Sequence, residues 1–256
     1  MIQPRRTLFV ILALSVTVLV KNAQPSAQQA DTNTAIRIAA LSDLLPQEDV
    51  AALRTDDLEK ERDKITSQIR AEVARFIESS VQPSETSEAA QKRLRFVLAT
   101  QVPGFEYSDP PTARMANLRH GRALVVAYTV VRPPHFDSAL ISGFREDAGR
   151  FHLAATTGSD FDGYTMFTLD LPSPSRDLMW VLAGGREFTF NGSKFRFRLY
   201  SFDGDEFRTL WNPDDVFDAT IRILPDGIAL SHRVRERQET VTEQYQVTAN
   251  GLFRVR

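Results

Sequence analysis

The 256-residue sequence contains no cysteine, which excludes disulfides, zinc–thiolate sites, thiol nucleophiles and a lipidated cysteine together. Several signatures of chemistry are missing as well. There is no H-E-x-x-H pair, no P-loop, no G-x-G-x-x-G and no G-x-S-x-G elbow, so local zinc sites, nucleotide cradles and serine-hydrolase turns find no support. The nearest Gly-Ser pairs, Gly158-Ser159 and Gly192-Ser193, lie in loops. No apolar run reaches the roughly 20 residues that a membrane helix needs.

The longest such run does carry information. Residues 8–20 are 13 uncharged, mostly apolar positions, preceded by Arg5 and Arg6 and closed by Lys21. A short apolar stretch behind a basic start is the pattern of a secretory signal, not of a stable span. Arg5-Arg6 before Thr7, Leu8 and Phe9 resembles the start of a twin-arginine signal, though ordinary signals carry two arginines too. Ala23, Ala27 and Ala30 are candidate cleavage points, none with the small residue two positions before it that a small-x-small site has. The expectation is export to a periplasmic or extracellular location, with residues 1–30 as signal and cleavage region.

Removal of that segment leaves 28 basic against 33 acidic residues. A mildly acidic chain has no general attraction to phosphate backbones, so nucleic acid is not an expected partner.

Residues 24–34 are rich in Ala, Gln, Ser, Asn and Thr and read as a flexible leader. Between residues 48 and 81 proline and glycine are absent, while Leu58, Ile65, Ile69, Val73 and Phe76 recur near helical spacing. Gln82-Pro83-Ser84 breaks that helix. Residues 86–100 form a second one, with Ala90, Leu94, Val97 and Leu98 as its stripe. The two are expected as a helical pair against the following domain, or the first as an oligomerisation arm through residues 48–81. Residues 31–103 are thus leader and helical segment.

From Pro103-Gly104 onward, residues 104–256 read as an antiparallel β-domain. Strands are expected at 123–131, 138–145, 150–156, 164–171, 178–183, 187–190, 194–202, 206–211, 216–224, 227–234, 241–248 and 251–255. Asn191-Gly192, Asp203-Gly204, Asp226-Gly227 and Asn250-Gly251 mark tight hairpins. Consecutive hairpins make a meander, hence a mainly β fold, either propeller-like or sandwich-like. Phe151-His152, Phe207-Arg208 and Phe253-Arg254 sit in three similar strand–turn–strand segments, whose spacing lies within the range of propeller blades.

The four histidines, His120, His135, His152 and His232, are far apart in sequence, so no metal site and no cofactor are expected. Acidic loops are the remaining candidates. Asp160 and Asp162 precede Gly163 like the opening of a calcium loop, but lack its further ligands. Trp211 followed by Asp214 and Asp215 combines an aromatic with carboxylates, as a sugar site does. These five residues are the candidate ligand-binding set. Two basic features, Arg119-His120-Gly121-Arg122 and the alternating Lys194/Arg196/Arg198 face, read as solvated surface, with Glu187 expected across the strand from the latter.

Two functions follow as expectations. One is an exported, non-catalytic binding or assembly module of the cell envelope, with a protein or glycan partner. The other is a carbohydrate-active or metal-dependent hydrolase that uses loop carboxylates.

Overall fold

The computed structural model describes residues 27–44, 56–99, 110–130, 138–157, 161, 164–190, 192–234 and 239–255. Residues 1–26, Asp160, Asp162 and His135 lie outside the described residues. Among the described residues three helices precede twelve strands: α1 (Ala27–Asp43), α2 (Asp56–Ser80), α3 (Ser87–Ala99), β1 (Thr112–Leu118), β2 (Gly121–Val130), β3 (Ser138–Asp147) and β4 (Arg150–Thr156). Then come β5 (Thr165–Leu169), β6 (Met179–Thr189), β7 (Gly192–Phe202), β8 (Phe207–Trp211), β9 (Val216–Leu224), β10 (Gly227–Val234), β11 (Glu239–Thr248) and β12 (Gly251–Arg254). No helix among the described residues is long and apolar enough to cross a membrane.

The strands form two antiparallel sheets, one ordered β1-β2-β3-β4 and one ordered β12-β11-β10-β9-β7-β6-β5, with β8 also paired to β7. Alternation sorts β2 into two faces. Leu124, Val126 and Tyr128 join Ile69, Val73 and Phe76 of α2 and Leu94 of α3 in one core. Ala123, Val125 and Ala127 join Val181, Ala183, Tyr200 and Phe202 in a second. The small sheet is therefore packed between the helices and the large sheet, as layered domains require. A third core of Trp180, Leu182, Phe197, Leu199, Trp211, Ile228, Leu230, Tyr245 and Leu252 fills the far side of the large sheet. There β12 comes back toward β8, so that a side chain at Gly251 would meet the Leu210 carbonyl at 2.8 Å.

Of the two β arrangements anticipated, this is the sandwich-like one; the described strands do not close as a propeller. The three similar segments are the hairpins β3–β4, β7–β8 and β11–β12, one in the small sheet and two in the large one.

The expected leader is the main difference. The chain is helical from Ala27, because alanine-rich sequence without Gly or Pro favours a helix and because ion pairs dock it. The buried face of α1 consists of Asp31, Thr34, Ala35 and Ile38, mostly polar or small, which leaves little apolar periodicity to read. Arg93 Nη2 and Nε of α3 reach Asp31 at 2.6 and 2.8 Å. Arg93 Nη1 also donates to the Ser80 carbonyl at 2.6 Å and to Glu85 at 2.8 Å. Arg37 Nε reaches Glu72 of α2 at 3.0 Å. In this way α1 lies against both α2 and α3. The apolar stripe of α2 from Ile65 to Ile77 is buried within the chain.

Both edges of the small sheet are covered by helix side chains. Ser87 Oγ accepts the outward amide of Met115 at 2.8 Å and Gln91 Oε1 that of Ala113 at 3.4 Å on β1. Glu78 Oε1 accepts the amide of Leu153 at 3.0 Å on β4. Unpaired edge amides invite pairing with other chains, and these acceptors occupy them.

Candidate functional site

Three features that are far apart in the sequence meet at one end of β7. The first is the basic alternation of β7 itself. The second is a break in the strand beside it. Leu199 pairs with Trp211 and Phe195 with Val216, so Arg196, Phe197 and Arg198 face residues 212–215, three positions against four. Such an excess residue is a bulge, which re-aims the side chains it carries. Pro213 has no amide to give a ladder. Its carbonyl instead accepts Arg198 Nη1 at 3.2 Å. The third feature is Tyr164, which leads into β5.

The bulge turns Asp215 back onto β7. Its carboxylate receives Arg196 Nε at 2.9 Å and Nη2 at 2.8 Å, Lys194 Nζ at 3.0 Å and the Tyr164 hydroxyl at 3.1 Å. The Arg196 guanidinium stands 4.5 Å from the centre of the Tyr164 ring and the Lys194 ammonium 5.8 Å, cation–π positions that support the same grouping. Glu187 pairs in register with Lys194, its carboxylate 4.0 Å from the ammonium.

The electrostatics follow from these contacts. Hydrogen bonds from Arg196, and then from Lys194 and Tyr164, hold the Asp215 carboxyl well below the usual carboxylate range against an opposing effect of burial. Burial, with the Asp215 charge, pushes the Tyr164 hydroxyl up. The hydrogen bonds to Tyr164 and Asp215 raise Lys194. A carboxylate with four donor contacts and a depressed pKa is a weak proton acceptor, since a general base works best with a pKa near the working pH. The cluster is suited to holding three chain segments together.

The candidate set is divided by the fold. Asp215 is in this cluster, while Asp214 stands exposed on the same bulge. Trp211 points the other way, into the third core, 8% exposed and edge-on to Tyr245 with centroids 5.0 Å apart at 71°. It offers no open ring for stacking. Tyr164 and the Arg196–Asp215 pairing went unanticipated, because the alternation in β7 displays the bases but not which carboxylate the bulge returns to them.

The three described histidines are dispersed. His120 and His152 are exposed, and His232 lies 3.9 Å from Glu243, which also pairs with Arg254 at 2.9 Å and accepts the Tyr245 hydroxyl. Burial and this carboxylate push the Tyr245 hydroxyl up. No group of three or more His, Asp or Glu among the described residues could hold a metal ion. The other basic cluster serves the fold. Arg122 donates to the carbonyls of Pro83 and Glu85 in the α2–α3 turn, and Arg119 pairs with Asp177 at 3.1 Å.

Two open cavities mark the surface. One of about 290 Å³ lies between the β1–β2 turn, the β3–β4 end and residues 203–205. A larger one of about 590 Å³ lies between the start of α3, β1 and the end of β5.

No family model, curated protein or solved structure matches the chain.

Proposed function

We propose that the chain is an exported binding or assembly module of the cell envelope that works without catalysis. The observation that carries this reading is the state of Asp215. Its oxygens are engaged by Arg196, Lys194 and Tyr164, so the less exposed of the two described candidate carboxylates, Asp214 and Asp215, is used to brace strands. The buried position of Trp211 agrees with that reading. Export rests on the basic start and the 13-residue apolar run of the N-terminal segment. A larger sheet-edge groove and a mildly acidic charge balance fit a polypeptide partner better than a nucleic acid.

The test is native and denaturing intact mass spectrometry on the chain extracted from its own cell envelope. The expected result is a species shortened at its N-terminus and free of metal. A full-length chain in the cytoplasmic fraction would overturn export. A stoichiometric calcium or zinc ion would overturn the non-catalytic reading in favour of a metal-dependent hydrolase.

A further inference from the structure

Beside the start of α3 the covered β1 edge of the small sheet and the β5 edge of the large sheet border one groove of about 590 Å³. On β1, Ala113 and Met115 point their backbone groups away from β2. Their amides are met by side chains of α3 alone among the described contacts. On β5, the Met166 amide turns away from β6 to Thr129 Oγ1 at 3.3 Å. By the two-residue period of a strand, the amide and carbonyl of Thr168 also point away from β6. Its side chain fixes the two edges to each other, the hydroxyls of Thr112 and Thr168 lying 2.8 Å apart.

The charged groups of the groove are Glu88, Arg114 and Asp170. Arg114 is already committed, to Asp170 at 3.0 Å and to the Trp180 carbonyl at 3.3 Å. Glu88 is exposed at the groove wall and Asp170 is 86% exposed at its side chain. The balance of these lining residues is negative, with Lys92 exposed one position beyond Gln91.

We propose that this groove takes an extended segment of a partner polypeptide that carries a basic residue. The segment adds as a strand to the β5 edge at Thr168, and its basic side chain lies toward Glu88 and Asp170. Strand addition draws its affinity from main-chain hydrogen bonds and its selectivity from alternate side chains, and an edge backbone beside carboxylates supplies both. The proposal rests on the binding-module reading and names the partner's chemistry.

The experiment places a photo-cross-linking benzoylphenylalanine at Lys92 or Pro172, exposed positions one residue beyond Gln91 and two beyond Asp170 of the groove lining, or at Thr220 on the outer face of β9 as a control. The full chain is irradiated in its native envelope, and the adduct is mapped by peptide mass spectrometry. The expected result is an adduct from Lys92 and Pro172, absent from Thr220, that maps to one segment with Lys or Arg. Thr168→Pro removes the outward amide without touching the β5–β6 ladder and should cut the adduct about tenfold, the equivalent of one hydrogen bond. Thr168→Val keeps the amide and should retain it. Thermal melts of both variants confirm folding.

An adduct that survives Thr168→Pro, or that maps to an acidic segment, overturns the proposal. Adducts from Thr220 and none from the groove overturn it while leaving a binding module in place. Absence of adducts at all three positions overturns both readings.

Discussion

Asp215 and Arg196 face each other across a broken strand pairing, joined by two contacts of 2.9 and 2.8 Å that span the bulge at residues 212–215. The pair lies where β7 changes neighbours from β8 to β9. A ladder cannot continue through that change, and the side chains replace the missing backbone bonds.

Asp215→Asn should therefore destabilise the fold by about 1–3 kcal/mol, the range for taking one partner from a partly buried charge pair. The effect has a definite pH dependence. Because the folded carboxyl titrates below its ordinary value, its contribution is complete above the usual range near about pH 4 and fades as pH falls through the depressed value. Urea unfolding of both proteins across pH 2–7 would show the gap between them narrowing on the acid side. A gap that widened there would show that Asp215 is not held ionised.

Trp211→Ala should behave as a core deletion. The ring is packed against Tyr245 with Ile228, Leu230 and Leu252 around it, and losses for buried Trp or Phe run about 3–5 kcal/mol. The stability loss should greatly exceed that of Asp214→Ala, an exposed neighbour three positions away. Equal small losses in chemical denaturation would return Trp211 to the surface.

Much of this architecture is legible in the sequence, and the exceptions share a cause. The boundaries of β4, β9 and β10 follow directly from alternation and turn residues. α1 and β1 are different, because neither carries enough apolar pattern to announce itself. The polar inward face of α1 is docked by Arg93 and Arg37, and Thr112–Leu118 becomes a strand through pairing with β2 and through Ser87 and Gln91. β6 reads as two strands because Gly184 and Gly185 interrupt it, yet it is continuous. The glycines make room for rings packed across the strand, since a side chain at Gly184 would stand 2.2 Å from Phe167 Cζ. At the candidate site the bases of β7 are visible in sequence. Their partner is not, since a bulge changes which residue faces which.

Gly185→Ala tests that packing. A methyl there would meet Phe161 Cδ1 at 2.6 Å and Tyr164 Cβ at 2.8 Å. Both must shift, and overpacking of this kind costs about 1–3 kcal/mol. Displacing Tyr164 should also loosen its contact with Asp215, so Gly185→Ala and Asp215→Asn should combine to less than the sum of their separate effects in a double-mutant cycle. Strict additivity would separate the two sites.

Arg93→Met tests the docking of α1. One guanidinium serves Asp31, Glu85 and the end of α2, and its removal leaves the Asp31 carboxylate buried without its partner. Limited proteolysis should cut near residues 27–44 well before the β-domain is attacked, because local opening is controlled by the contacts that hold the segment. Arg37→Met, at a more exposed pair, should give a weaker form of the same pattern. If both variants keep α1 as protected as the parent, the apolar contacts of Ala35 and Ile38 suffice to hold it.

The edge covers of the small sheet yield a prediction about association. Glu78→Ala and Ser87→Ala together uncover one outward amide on β4 and one on β1, each accounting for about 1 kcal/mol of hydrogen bonding. That loss is modest for the folded chain, so the melting transition should shift little. The larger consequence lies between molecules, because the freed amides belong to opposite edges of one sheet and each edge can then accept a strand from another chain. Light scattering over a concentration series should show growth for the double variant and a constant mass for Ser67→Ala, an exposed serine of α2 away from both edges. Growth in the control as well would trace association to a general loss of α2 stability. A constant mass for both would show that the bulk of the helices, and not their side-chain acceptors, protects the edges.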